Sequence, residues 1–176
     1  VGGYFFVSKA ADNLLARDKP DYDGAIPAGN SVAALNLMRL SLLTSDIRYD
    51  ELARKLLTSF GQTLTRAGRA MPKMLTGLDF LSDEALQIIV GNPNQKTTTT
   101  HFQRVIQERF LPNRVIVCTT DDDVERLSQS IRIVAGKKSV GGKSTAYVCR
   151  GTTCSLPLTD AFSFKRELNK ITPYSI

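Results

Sequence analysis

The sequence predicts a chain of mixed class in two parts, a helical part over 1–82 followed by a small, mostly parallel α/β segment over 83–176. Three observations carry that expectation. Apolar residues recur at helical spacing from Asn30 to about Gly68. Beyond Ser82, short strand-like runs alternate with helical stretches. The length, 176 residues with 42% hydrophobic and 23% charged side chains, suits one ordinary domain or two small ones rather than a disordered chain.

The first helix is read from Val32, Leu35, Leu37, Leu40, Leu42 and Leu43, which put apolar side chains around most of its circumference and predict extensive burial. Pro27-Ala28-Gly29-Asn30-Ser31 marks its start, with Asn30 or Ser31 able to accept the free amides of the first turn. Thr44-Ser45-Asp46 interrupts the pattern. A second helix begins near Asp46 or Arg48, with Leu52, Leu56, Leu57, Phe60 and Leu64 along one stripe. So short a link predicts an antiparallel helical hairpin. A third helix is expected over 70–81, since proline at Pro72 is tolerated in a first turn.

In the second part, Leu86–Val90 reads as a buried strand closed by Gly91-Asn92-Pro93. Thr98–Phe110 reads as a helix capped by threonines, and Arg114–Thr119 as the next strand. Asp121–Ser130 reads as a helix whose acidic first turn suits the helix dipole. Thr145–Cys149 is the third strand. Short links between such elements predict right-handed crossovers and a mostly parallel sheet. Residues 133–144 form a loop rich in glycine and lysine, and no internal repeat is present.

Charge and composition exclude several partners. No stretch offers the ~18–20 apolar residues of a membrane span; the densest, Val32–Leu43, is broken by Asn36, Arg39 and Ser41. The opening VGGYFFVSKAADNL has no secretory-signal order, and the absence of an initiator Met suggests a processed chain or a piece of a longer one. The net charge of +6 is spread out, with 10 basic and 8 acidic residues up to Ser82 and 13 and 9 beyond. Its tightest basic group, Lys137, Lys138, Lys143 and Arg150, has no interleaved Phe or Trp, so no nucleic-acid partner and no membrane partner are expected. Three cysteines, an odd number, predict free thiols in a reducing compartment. The expected location is the cytoplasm, or an organelle if a transit peptide has been removed upstream.

Among candidate motifs, Gly136 to Ser144 looks like a phosphate loop but fails its spacing. Five residues before Gly142 stands Lys137, with Gly136 one place out of register, and a strand rather than a helix follows. A surface loop is expected. Gly91-Asn92-Pro93 lies where α/β sheets bind ligands, and reads either as an anion site or as a turn. Cys149 and Cys154 are a possible thiol pair without a CxxC or metal spacing, and are read as flanking a turn. Cys118 is read as a small buried strand residue. His101, the only histidine, has no spacing that links it to a nucleophile or to a zinc set, so no metal and no cofactor are expected and no catalytic residue is assigned. The most distinctive stretch is Asp21-Tyr22-Asp23-Gly24-Ala25-Ile26-Pro27-Ala28-Gly29-Asn30-Ser31. Paired carboxylates there suit acid–base work on sugars or binding of their hydroxyls; the alternative is one capping aspartate and one solvated one.

YDGAIPAGNSVAALNLMRLSLLT, the opening GGYFF, ERFLPNRVIV and AYVCRGTTCSLPLTD together resemble the C-terminal part of the spermatogenesis-associated, thioredoxin-domain-containing (YyaL-type) family, in order and over nearly the whole chain. The resemblance implies three parts in series: a thioredoxin-like domain, an α/α toroid similar to N-acylglucosamine 2-epimerases and six-hairpin glycosidases, and a closing α/β segment. On that basis residues 1–82 are the terminal helical hairpins of the toroid and 83–176 the closing α/β domain. The family's inferred redox activity then belongs to the absent thioredoxin part and does not pass to Cys149 or Cys154. The implied ligand contacts are Asp21, Tyr22, Asp23, Asn30 and Ser31, facing a cavity that takes a sugar-like ligand.

Two functions follow. One is an incomplete piece of a carbohydrate-active-like toroid protein. Its partners are the missing toroid and thioredoxin-like segments, or a second copy of itself, and it leaves apolar surface exposed on the 31–81 helices. The other is an autonomous α/β module for an anionic ligand or a protein partner, with a self-contained core and a pocket at 91–98 with 136–143. Whether either is an enzyme is left open by the sequence.

Overall fold

A computed structural model describes residues 2–10, 16–94 and 100–171. Among them, seven α-helices and four strands follow in order: α1 (Gly29–Thr44), α2 (Ile47–Ser59), α3 (Gly61–Ala67), α4 (Pro72–Ser82), β1 (Leu86–Asn92), α5 (Thr100–Gln107), β2 (Arg114–Thr120), α6 (Val124–Ser128), β3 (Thr145–Arg150), β4 (Thr153–Cys154) and α7 (Ala161–Asn169). They form two compact units, Val1–Ser41 with Asp46–Ser82, and Leu42–Ser45 with Asp83–Ile176.

In the first unit, α1 buries Asn30, Ser31, Ala34, Leu35, Leu37 and Met38, while Leu40 is 38% exposed. The leucine-rich helix is therefore covered on part of its surface, not all of it. α4 crosses α1 closely at Gly77, where an added methyl would stand 3.2 Å from the Ala34 Cβ. Asp46 caps α2 by accepting the Arg48 amide at 3.0 Å, and α2 turns Ala53, Leu56 and Leu57 inward. The stripe from Leu52 to Leu64 does not lie on one helix. Phe60, buried and at φ −103° and ψ 4°, leaves helical geometry, and α3 restarts at Gly61. Pro72 opens α4, a position where its missing amide costs no helical bond.

The second unit is built around β1. The sheet order is β2-β1-β3-β4, with β1 and β2 parallel, β1 and β3 antiparallel, and β3 and β4 antiparallel. This corrects the mostly parallel sheet, since one pairing of three is parallel. A parallel return needs a crossover of a dozen or more residues, usually a helix. The connection from β2 to β3 is long enough for one, but it runs through the five-residue α6 and a loop that lays the backbone of Lys137 against Gly91. β3 therefore starts at the carboxyl end of β1, with Thr145 opposite Gly91, and runs the other way.

Alternation along the strands makes two cores. Leu86, Ile88, Val90, Ala146 and Val148 face Phe102, Val105 and Ile106 of α5 and Phe164 and Leu168 of α7. Ile89, Tyr147 and Cys149 face the opposite side, with Val134 and, partly buried, Leu127 and Ile131. Phe102 and Phe164 meet edge to face at 5.3 Å. α7 is not among the elements expected from periodicity, yet its marks are local: Asp160 accepts the Ser163 amide at 2.8 Å, and Phe164 and Leu168 are one turn apart. α5 begins at Thr100, and the threonine cap expected ahead of it lies outside the described residues. Cys118 is exposed, correcting its expected burial. It shares a sheet face with Ile116, itself 42% exposed, on β2 at the end of the sheet.

Phe164→Ala should lower the unfolding free energy of the second unit by about 3–5 kcal/mol, read by urea denaturation. The Ser163 amide holds the Asp160 carboxyl below the ordinary carboxylate range. A group depressed on folding adds stability above its unfolded pKa, near ~3.9, and loses it as pH falls through the folded value. Acid titration of Asp160→Ala against the parent, followed by circular dichroism, should remove that loss while leaving the curves above pH ~5 parallel.

Candidate functional site

The acidic loop is held by its own polar side chains. Asp23 Oδ1 accepts the Ala28 amide at 2.8 Å, and its Oδ2 accepts the Lys73 and Met74 amides at 2.7 and 3.4 Å. Its own amide donates to the Ala70 carbonyl at 2.8 Å. One carboxylate thus caps α4 from fifty residues away and closes the 23–28 turn. Asn30 is equally occupied: its Oδ1 accepts the Tyr4 amide at 2.6 Å, and its Nδ2 donates to the Tyr4 and Pro20 carbonyls, both at 2.9 Å. That overturns the expectation of Asn30 or Ser31 as the cap of α1. Asn30 ties two extended segments to the helix start instead, and Ser31 Oγ is fully buried without a partner among the described residues.

The same loop presents other groups outward. Tyr22 is 68% exposed and Ile26 83% exposed, and Asp21 is half-buried, with no side-chain hydrogen bond among the described residues. Beside them stands the 2–7 segment that Asn30 anchors. Its Tyr4, Phe5 and Phe6 are all exposed, and Arg17 and Lys19 lie over the Phe5 ring at 3.9 and 4.6 Å. The aromatic trio was visible in the GGYFF opening, but nothing in its spacing tied it to the acidic loop. Asn30, read as a ligand contact, is the link.

A groove of about 520 Å³ opens in the same unit, lined by Arg54, Leu57, Gly61, Leu64, Leu75 and Leu78 among others. Leu52, Leu75 and Leu78 are each more than a third exposed.

In the second unit, the glycine- and lysine-rich loop is clasped. Ser139 donates from its amide and its hydroxyl to Asp121 at 2.7 and 2.6 Å, and the Val140 amide donates to Thr145 Oγ1 at 2.9 Å. An added methyl on Gly91 would stand 2.6 Å from the Lys137 carbonyl oxygen, so Gly91 and the loop are in contact. Residues 95–98 of the proposed pocket lie outside the described residues. The Tyr147 hydroxyl donates to the Lys138 carbonyl at 2.6 Å; burial first, and the nearby Asp121 charge second, push that phenol up and keep it a donor. Cys149 and Cys154 are joined by a disulfide, which corrects the three free thiols. The two-residue turn places residues five apart directly opposite each other in the ladder. Cys118 is the free cysteine. His101 is exposed on α5 beside Phe102, and no group of three His, Cys, Asp or Glu side chains among the described residues is arranged to hold a metal. Among those residues no helix is long and apolar enough to cross a membrane.

Spermatogenesis-associated protein 20 of Homo sapiens is 31% identical to this chain over 170 residues, 96% of the chain. The chain is homologous to a segment of spermatogenesis-associated protein 20. The Rattus norvegicus spermatogenesis-associated protein 20 is likewise 31% identical over 172 residues, and an uncharacterized protein of Caenorhabditis elegans is 26% identical over 170. The chain spans about a fifth of the length of these relatives, 22% of the human and rat spermatogenesis-associated protein 20 and 23% of the nematode protein. No protein-family model matches it.

Asp23→Ala should cost about 2 kcal/mol of stability through loss of the remote cap and the turn. Asp21→Ala should stay within about 0.5 kcal/mol of the parent. Guanidinium denaturation of the two variants side by side checks both.

Proposed function

We propose that this chain is the C-terminal part of a longer protein like spermatogenesis-associated protein 20, and that its helices close an α/α toroid whose cavity binds a small sugar-like ligand. The observation that carries the reading is the similarity over 96% of the chain to only 22% of the relative, joined to an apolar groove on the helices. Helices that end a larger ring need neighbours on both sides, and Leu57, Leu64, Leu75 and Leu78 offer such a neighbour a side-chain bed. The remaining toroid and thioredoxin-like segments are the occupants in this reading. The piece has no complete active site of its own.

Within the loop, Asp23 and Asn30 are spent on backbone amides and carbonyls, and Ser31 is buried. Ligand contact therefore falls to Asp21 and Tyr22, with the exposed Tyr4 and Phe5 rings as stacking surfaces. A carboxylate that accepts hydroxyls beside aromatic faces suits a sugar's polar rim and apolar ring faces.

A second reading rests on the α/β unit, whose strands β1 and β3 are covered on both faces by its own α5, α7, α6 and the 132–134 turn. That self-contained core suits an autonomous binding module for an anionic ligand or a protein partner.

The pair Leu75→Glu and Leu78→Glu separates the two readings. In the chain by itself, the double variant should cost no more than about 1–2 kcal/mol, since both leucines are only partly buried. In the longer protein it should cost several kcal/mol, roughly 3 or more, because two charges enter a covered interface. Equal, small effects in both contexts favour the autonomous module. In the longer protein, a thermal-shift screen of monosaccharides and sugar phosphates should give a stabilising ligand whose affinity falls about tenfold or more in Asp21→Ala or Tyr22→Ala.

A further inference from the structure

The Cys149–Cys154 bond joins two strands that are also paired by backbone hydrogen bonds. The residues stand opposite each other in the β3–β4 ladder, across the turn Gly151-Thr152, where Gly151 has φ +51° as a glycine-first hairpin turn requires. The Ser155 amide donates to the Val148 carbonyl at 2.7 Å, and the Val148 amide donates to Ser155 Oγ at 3.2 Å, extending the same hairpin. A bond that closes a separation of five residues restricts the unfolded chain less than one closing a longer loop.

The two sulfurs have unlike surroundings. Cys149 is 3% exposed and packed with Ile89, Val134 and Tyr147. Cys154 is exposed, on the end strand of the sheet, and Lys137 Nζ lies 3.7 Å from its Sγ. Several contacts place that ammonium. The Lys137 amide donates to the Val134 carbonyl at 3.0 Å, and the Tyr147 hydroxyl holds the next carbonyl, that of Lys138. The bare Gly91 lets this backbone lie directly over the sheet, where any side chain would collide with it. Lys137 Nζ also lies 5.2 Å from the centre of the Tyr147 ring, the residue two before Cys149 on the same sheet face. One sulfur open to attack beside a cation, and one shielded by apolar side chains, is the arrangement of a disulfide used for exchange.

We propose that Cys149–Cys154 is a redox-active disulfide that exchanges with thiolate reductants at Cys154, with Lys137 stabilising the thiolate that Cys154 becomes. The reductant's thiolate attacks Cys154 Sγ and forms a new S–S bond. The Cys149–Cys154 bond breaks, and its electron pair leaves on Cys149 Sγ, which takes a proton in its buried site. A second thiolate of the reductant then attacks its own sulfur in that mixed disulfide and releases Cys154 as a thiolate beside Lys137. In total the reductant's two thiols are oxidised to one disulfide, and Cys149–Cys154 is reduced by two electrons. The reverse sequence oxidises the pair.

The purified chain is equilibrated in buffers of reduced and oxidised dithiothreitol, or of reduced and oxidised glutathione, quenched with N-ethylmaleimide and read by mass spectrometry. The folded chain should convert in one two-electron transition. Conversion in both buffers assigns exchange to thiols in general, and conversion in dithiothreitol alone assigns it to dithiols. Cys149→Ser should trap glutathione on Cys154. In the reduced chain, Cys154 should alkylate at least about tenfold faster than Cys149, and Lys137→Gln should slow Cys154 several-fold with an unchanged circular dichroism spectrum, Lys137→Arg restoring it. The proposal is overturned if the pair is reduced only after the chain is unfolded in urea, if both cysteines alkylate at one rate, or if Lys137→Gln leaves the Cys154 rate unaltered.

Discussion

The α/β unit depends on the burial of β1 from both sides. Ile88 and Ile89 are adjacent, point to opposite faces and are both fully buried, so the strand demands cover above and below. α5 and α7 supply one cover, and α6 with the 132–134 turn supplies the other. Those short elements, together with the missing side chain of Gly91, set where the following loop lies. The loop's position then sets the direction of β3 and carries Lys137 to the hairpin beyond it. A packing demand at the centre of a sheet thus reaches the chemistry at its edge.

The helical unit is organised by polar side chains instead. Asp23 and Asn30 each satisfy three backbone groups, most of them in segments distant in sequence, work that a hydrophobic contact does not perform because it has no direction. Their use in the scaffold separates two kinds of polar residue in one loop. Asp23 and Asn30 shape it, while Asp21 and Tyr22 face outward from it. A ligand reading of this loop thereby narrows to side chains that the scaffold leaves available.

Much of the candidate site was legible as a stretch and little of it as roles. Two carboxylates, two glycines and a proline ahead of an apolar helix identified 21–31 as unusual. The sequence offered no means of telling Asp21 from Asp23, because the amides of Lys73 and Met74 that distinguish them lie fifty residues on. The thiol pair carried the same ambiguity. A spacing of five implies neither a bond nor its absence until a two-residue turn places the pair in register. Cys118 looked like a core residue because RVIVCT reads as a buried run, and only its place at the end of the sheet leaves it uncovered.

By itself the sequence determined the local elements whose causes are local: the helical period through 30–59, the break at Thr44-Ser45-Asp46, the proline start of α4, and strands at 86, 114 and 145. These follow from side-chain periodicity, capping and backbone freedom within a few residues. The tertiary structure decided the pairing direction of β3, the fate of each aspartate in the acidic loop, the exposure of Cys118 and the bond between Cys149 and Cys154. Each of these depends on a group tens of residues away, or on a register set by a turn, and periodicity along one strand of chain holds no record of either.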